Sequence, residues 1–221
     1  PLRLRTRLVS AGFFLTLEGG EGAGKSTQAR RLAAALEARG LEVVLTREPG
    51  GAPGAEDIRK LLVTGEAARW TPLTEALLMY AARDDHLHAT VRPALARGAV
   101  VISDRFADSS EAYQGAGGGV PPETIAALRR LVVGADEPDL TLVFDLPVDI
   151  GLARAATRGG DARFESKGRG YHERLRAAFL AIARREPGRC TVIDASGTED
   201  GIAAAVLAAV APALRAKGIA A

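Results

Sequence analysis

Eight consecutive residues, Gly19-Gly20-Glu21-Gly22-Ala23-Gly24-Lys25-Ser26, satisfy G-x-x-x-x-G-K-[S/T], a spacing suited to holding phosphate. Glycines let successive backbone N–H groups turn inward around phosphate oxygens, and a helix starting near Ser26 adds its positive end. Lys25 can reach β- and γ-phosphates, the Ser26 hydroxyl can ligate Mg²⁺, and Thr27 follows in the same turn. Asp104-Arg105 is a second candidate pair: a carboxylate able to hold Mg²⁺ through water and a guanidinium able to fork onto an anion. A strand-end salt bridge is the plainer account of that pair. Thr46 to Gly51, TREPGG, predicts a stiff turn, with a cis Glu48–Pro49 bond as one hypothesis. Arg47 there either meets phosphate or pins the turn.

These residues need elements to place them. Phe13 to Leu17 is a short β-prone run ended by glycines. After Lys25, apolar Ala29, Leu32, Ala33 and Leu36 recur at helical spacing up to Gly40, a suitable C-terminal stop. Strand, glycine loop and helix therefore coincide with the phosphate motif. Further strands are expected at 42–46, 99–103, 140–144 and 191–193, and helices at 55–64, 72–97, 121–133, 149–157, 171–186 and 200–216. Continuous Val/Ile/Leu strands alternating with helices predict an α/β fold with a parallel sheet covered on both faces. Asp104-Arg105 then falls at the carboxyl edge, where open α/β sheets bind ligands.

Residues 1–12 alternate arginine with apolar residues and lack a secretory pattern; they are expected to be a leader or disordered arm with no role for Arg3, Arg5 or Arg7. Residues 13–221 read as one domain. Two stretches look flexible, 115–122 and 159–170, and the polar, Arg-bearing second one, about 158–170, reads as a lid.

Composition narrows the function classes. The 221 residues are 47% hydrophobic and 25% charged, an ordinary globular balance. No apolar run approaches the roughly 18 residues of a membrane span, so a soluble, membrane-free protein is expected. The single cysteine, Cys190, excludes an internal disulfide and fits a reducing compartment, with cytoplasm the default. Arginine outnumbers lysine 25 to 4, yet the net charge is only +2, which argues against coating a nucleic-acid polymer. What matters is whether arginines gather where a phosphate sits. His86 and His88, two apart on a helix, do not share a face and make a poor metal pair; they, His172, Trp70 and Cys190 read as structural.

A phosphate loop alone does not separate kinases, GTPases and motors. The N-K-x-D motif of a GTPase is absent, and the size argues against a motor. The run Phe14–Gln28 (FLTLEGGEGAGKSTQ), then TREPGG at 46–51, YAAR at 80–83, SDRF at 103–106, AYQG at 112–115 and PDLTLVFD at 138–145, resembles bacterial thymidylate kinases in order and spacing from about residue 13 onward. The resemblance implies a nucleoside-monophosphate-kinase-like fold with a five-stranded parallel sheet, and transfer of the ATP γ-phosphoryl group to dTMP with Mg²⁺. It implies that Arg105 takes the dTMP phosphate and that Pro49 and Arg47 line the acceptor site. It gives Glu21 the deoxyribose 3′-hydroxyl and Tyr113 the 2′ side. Arg83 falls to thymine O4, and Ser110 and Gln114 lie near the base. Where the family usually stacks a Phe on the base this chain has Met79, which is polarizable but less rigid; Tyr80 is the alternative ring. The lid region carries Arg154, Arg158 and Arg163 with Asp161. The P-loop position that supplies a catalytic arginine in one branch of the family is Gly22 here, which points to Arg158 and Arg163 beside Lys25 and Arg105 as the catalytic cations. A homodimer is implied by the resemblance alone. An enzyme with another acceptor, suggested by Met79, and an ATP binder without turnover are the competing functions.

Overall fold

The computed structural model describes residues 12–66, 69–158 and 167–220. Five strands, β1 (Phe13–Gly19), β2 (Val43–Arg47), β3 (Val100–Asp104), β4 (Leu140–Asp145) and β5 (Cys190–Asp194), form one sheet in the order β2-β3-β1-β4-β5. Every pairing is parallel. The five expected strands therefore all form, each bound within two residues of the expected one.

Strand β1 shows why the sequence folds this way. Its side chains alternate faces with period two. Phe13, Leu15 and Leu17 enter a core with α1 (Lys25–Glu37) on one face, while Phe14 joins a second core on the other. Thr16 shares the Phe14 face, where its hydroxyl is 2.8 Å from that of Thr141 on β4. Glu18 completes that polar row and is fully buried.

Around the sheet lie α2 (Pro53–Val63), α3 (Pro72–His86), α4 (Arg92–Ala96), α5 (Ala107–Ser110), α6 (Pro122–Val132), α7 (Val148–Arg158), α8 (Arg169–Arg185) and α9 (Glu199–Ala216). Ile202, Val206, Val210 and Leu214 of α9 cover the α1 side. On the other face Tyr80, Leu87, Val91 and Ala94 pack under β1 and β3, and Leu175, Phe179 and Ile182 of α8 pack under β4.

The helix expected across 72–97 is not one helix. A π-turn at Leu87–Val91 divides α3 from α4, and the Arg92 N–H reaches back to the Leu87 carbonyl. Pro93 explains the break: it has no N–H and its ring crowds the preceding turn. The glycine-rich stretch from Gly115 also has more order than its composition suggested. α5 runs into a second π-turn, Glu111–Gly117, closed by Gly119 N–H to Gly115 O at 2.7 Å and Val120 N–H to Gln114 O at 2.9 Å.

Candidate active site

Three strand ends build the site. β1 passes into the glycine loop and α1, β2 into Arg47–Gly51, and β3 into Asp104-Arg105; between them opens a cleft of about 850 Å³. No side chain caps the N-terminus of α1, whose N-cap is Gly24. Its first N–H groups are therefore available to a ligand. Lys25 Nζ donates to Gly20 O at 2.7 Å, folding the lysine along the loop. Burial and the Arg105 charge push Lys25 down to about 8, against the pull of Glu21, Asp104 and Glu18.

Gly22 has φ 69°, and a Cβ there would lie 2.0 Å from the Gly151 carbonyl oxygen on α7. No side chain fits, so this loop cannot carry an arginine at Gly22.

Ser26 Oγ donates to Asp104 Oδ2, so the two residues expected to hold Mg²⁺ are together at the cleft. Among the described residues no group of three or more His, Cys, Asp or Glu could hold a metal. A hydroxyl and one carboxylate suit Mg²⁺, which keeps several waters and shares its shell with substrate phosphates.

Arg105 is the one non-glycine residue with positive φ, 73°, among the described residues. The bend turns its side chain back over the loop. Nη1 donates to Gly19 O at 3.0 Å and Ser109 Oγ at 3.3 Å, and Nη2 to Glu21 Oε1 at 3.0 Å. Its guanidinium lies 4.8 Å from the Tyr113 ring centroid, and Tyr113 donates its hydroxyl to the same Glu21 oxygen at 2.7 Å. Burial alone would raise Glu21, but the Arg105 and Lys25 charges and the Tyr113 hydroxyl overcome it and hold the carboxyl at about 2.

Glu18, which the sequence did not single out, holds this bend. It accepts from Phe106 N–H at 2.8 Å, Ser109 N–H at 3.3 Å and Ser109 Oγ at 2.6 Å. Burial first, then the Asp108 charge, pushes it up to about 7.

Arg83 is 2% exposed. Its guanidinium lies 4.6 Å from the Tyr80 ring centroid and 5.2 Å from that of Phe106, while Nε donates to Glu48 Oε2 at 2.7 Å and Nη2 to Phe106 O at 3.1 Å. Nη1 is buried with no hydrogen-bond partner among the described residues. Glu48 Oε1 lies 2.9 Å from His86 Nδ1, and His86 Nε2 lies 2.8 Å from Thr46 Oγ1. His86 is thus structural, as expected, though it braces a cleft residue. The Glu48–Pro49 bond is cis.

Most sequence-predicted residues converge. Glu21, Gly22, Ala23, Gly24, Lys25, Ser26, Asp104 and Arg105 line the cleft, as do Arg47, Pro49, Met79, Arg83, Ser110, Tyr113 and Gln114. Gly19 and Gly20 border a smaller pocket behind the loop, and Thr27 lines neither. Met79 faces the cleft and Tyr80 is buried beneath Arg83, so the alternative with Tyr80 as the base-covering ring fails. Arg47 donates to both carboxylate oxygens of Glu56 at 3.1 Å, pinning the turn while still bordering the cleft. Arg154 donates to Ala195 O at 3.1 Å beyond β5, which ties it to the sheet edge instead of a lid. Arg163 and Asp161 lie outside the described residues, as do the side chain of Arg158 and residues 1–11. Arg30 and Arg59 line the cleft and were missed; nothing in their spacing marks them.

A family model described as thymidylate kinase matches residues 17–206. A thymidylate kinase of Caulobacter vibrioides is 63% identical over 198 residues, covering 90% of this chain and 95% of that protein. One from Pseudomonas putida is 54% identical over 193 residues, covering 87% and 93%. The crystal structure of a thymidylate kinase from Ehrlichia chaffeensis superposes with a TM-score of 0.74 at 33% identity, covering 90% of this chain and 99% of that one. The P-loop, the bent Asp104-Arg105 corner and these matches along nearly the whole length lead to one conclusion: the chain belongs to the thymidylate kinase family.

Proposed function

We propose that the cleft is divided between two nucleotides, with ATP phosphates in the glycine loop and dTMP along Arg105, Arg83 and Gln114. Family membership sets the reaction: ATP gives its γ-phosphoryl group to dTMP, yielding dTDP and ADP for dTTP synthesis. The observation that carries the division is the Arg105–Glu21–Tyr113 cluster, a fixed cation beside a carboxylate held ionised, at the mouth of the loop.

Arg105 keeps Nε–H and part of Nη2 for the acceptor phosphate, and its planar fork suits that anion. Glu21 accepts the 3′-hydroxyl, and the Tyr113 ring crowds the 2′ side, disfavouring ribonucleotides. Arg83 Nη1, a buried donor without a partner among the described residues, meets the O4 carbonyl of thymine; leaving it unmet is costly. Met79 covers the base face, Ser110 and Gln114 meet its edge, and Pro49 and Arg47 close the far side.

Ser26 and, through water, Asp104 would hold Mg²⁺, which when bound neutralises charge on the transferring phosphates. Lys25 and the backbone N–H groups of residues 20–26 neutralise the rest. The acceptor is already an anionic oxygen, so no general base is needed and catalysis is positioning plus charge neutralisation. Because no side chain fits at Gly22, the remaining cation comes from the lid, Arg158 or Arg163. The chain works in the cytoplasm, whose reducing conditions suit the free thiol of Cys190. It acts as a homodimer, supported by Leu73 and Leu77, one turn apart on α3 and about half exposed. Light scattering should return twice the 23.0 kDa chain mass.

The test is ADP release across dTMP, dUMP, UMP, CMP and AMP. dTMP is expected to give the highest kcat/KM; preference for any other acceptor would overturn the assignment of the cleft.

A further inference from the structure

Gln114 does not stand alone at the wall of the cleft. Its Nε2 donates to Glu75 Oε1 at 2.9 Å across 39 residues of chain, from the π-turn after α5 to the first turn of α3. Both side chains are buried, Glu75 7% and Gln114 2% exposed. Ala76, next to Glu75, belongs to an apolar cluster with Val120 and Ile125, so little water competes for the bond.

A side-chain amide can turn over, exchanging donor for acceptor with almost no change of shape. A carboxylate offers only acceptors, so Glu75 forces the NH₂ end of Gln114 toward itself and leaves Oε1 for the cleft that Gln114 lines. The neighbouring Ser110 hydroxyl, buried and without a partner among the described residues, can donate or accept and so does not discriminate. The polarity read at this wall is therefore the polarity of the Gln114 amide.

We infer that Glu75 is a specificity-determining positioning residue. By holding the Gln114 carbonyl toward the cleft it makes the site accept a pyrimidine with N–H at ring position 3 and reject one whose N3 is a bare acceptor. Thymine and uracil carry that N3–H, whereas cytosine N3 has a lone pair that would face Oε1, acceptor against acceptor. The inference rests on the placement of the base against Gln114.

Glu75→Gln keeps the shape and supplies both donor and acceptor, which frees the Gln114 amide to turn. The ratio of kcat/KM for dTMP to that for dCMP should fall by about tenfold or more. The dTMP to dUMP ratio, in which both bases carry N3–H, should stay within about twofold. General damage to the cleft would move both ratios together; that result, or an unchanged dTMP to dCMP ratio, overturns the role of Glu75. Gln114→Leu separates the layers. It should itself lower the dTMP to dCMP ratio by about tenfold or more, leaving only the discrimination that Arg83 supplies at ring position 4; if it leaves the ratio unchanged, the base lies elsewhere, and the placement and the inference fall together. If Gln114→Leu does change the ratio and Glu75→Gln does not, only the inference falls. Should Glu75→Gln fail to fold, the unaltered protein decides by NMR. The Gln114 NH₂ should be protected from hydrogen exchange with and without dTMP, and rapid exchange in both states would contradict the inference.

Discussion

Lys25 and Glu21 sit in the same loop and both are pushed down, which weakens the lysine's hold on its proton and secures the carboxylate's charge. Burial and Arg105 lower the lysine to about 8, so in the free protein it loses its proton as pH rises through that value. ATP phosphates restore the charge, so binding should take up about half a proton near pH 8 and almost none at pH 6.5. Calorimetry in buffers of different ionisation enthalpy measures this directly. Lys25→Ala should lower kcat by about 10²-fold or more, because transition-state charge loses its nearest cation. Glu21 is held at about 2 and stays ionised across the working range, ready to accept a hydroxyl. The glycines, Lys25 and Ser26 were legible from the motif, whereas the bond from Arg105 to Glu21 was not, because 84 residues separate the two. Glu18 was not legible, because in sequence it is one polar residue in an apolar strand. Its partners, Phe106 and Ser109, lie 88 to 91 residues on, and only the parallel β1–β3 pairing brings them to it. The contact between Glu48 and His86 escaped notice for the same reason: a turn residue and a helix residue 38 apart, joined only when α3 packs over the turn.

At the scale of elements, the loop's shape is set by what cannot be added to it. Gly22→Ala would force a Cβ against the Gly151 carbonyl at a φ that only glycine adopts freely, so α7 or the loop must shift. ATP affinity should fall more than dTMP affinity, with a lower Tm; unchanged ATP affinity would mean that α7 gives way without cost to the loop. A contrasting change lies far from the site. Thr198 caps α9, its Oγ1 accepting from the Gly201 N–H at 3.2 Å. Thr198→Ala should cost about 1 kcal/mol in denaturant unfolding and leave kcat unaltered. The strands and most helices could be read from periodicity because each buries a continuous face. The break in α3 could not: the pattern of apolar residues continues through Leu87, Val91 and Ala94, and Pro93 marks the place without saying that the helix resumes as a π-turn and α4.

For the molecule as a whole, the buried carboxylates shape stability against pH. Glu18, raised to about 7, binds more protons folded than unfolded between about 4.5 and 7. Its contribution is therefore fully present below the lower value and is lost as pH rises through the upper one. Glu21 works the other way: its contribution is present above about 4.5 and is lost as pH falls toward 2. Glu18→Gln should flatten the stability profile between pH 4.5 and 7 relative to the unaltered protein, read from urea midpoints; a profile that keeps its slope would remove Glu18 as the source. The arginine excess also takes on meaning at this scale. Several arginines lie on the surface in ion pairs such as Arg97–Glu42 and Arg185–Glu111, which contribute little individually. Arg83, which is buried, and Arg105, which is partly buried, both line one cleft, at the end proposed here for the acceptor. Isothermal titration of dTMP and, separately, of ATP into Arg105→Ala tests that division most directly. dTMP binding should weaken by about tenfold or more while ATP binding changes by less than about threefold; equal losses for the two nucleotides would contradict a cleft divided in this way.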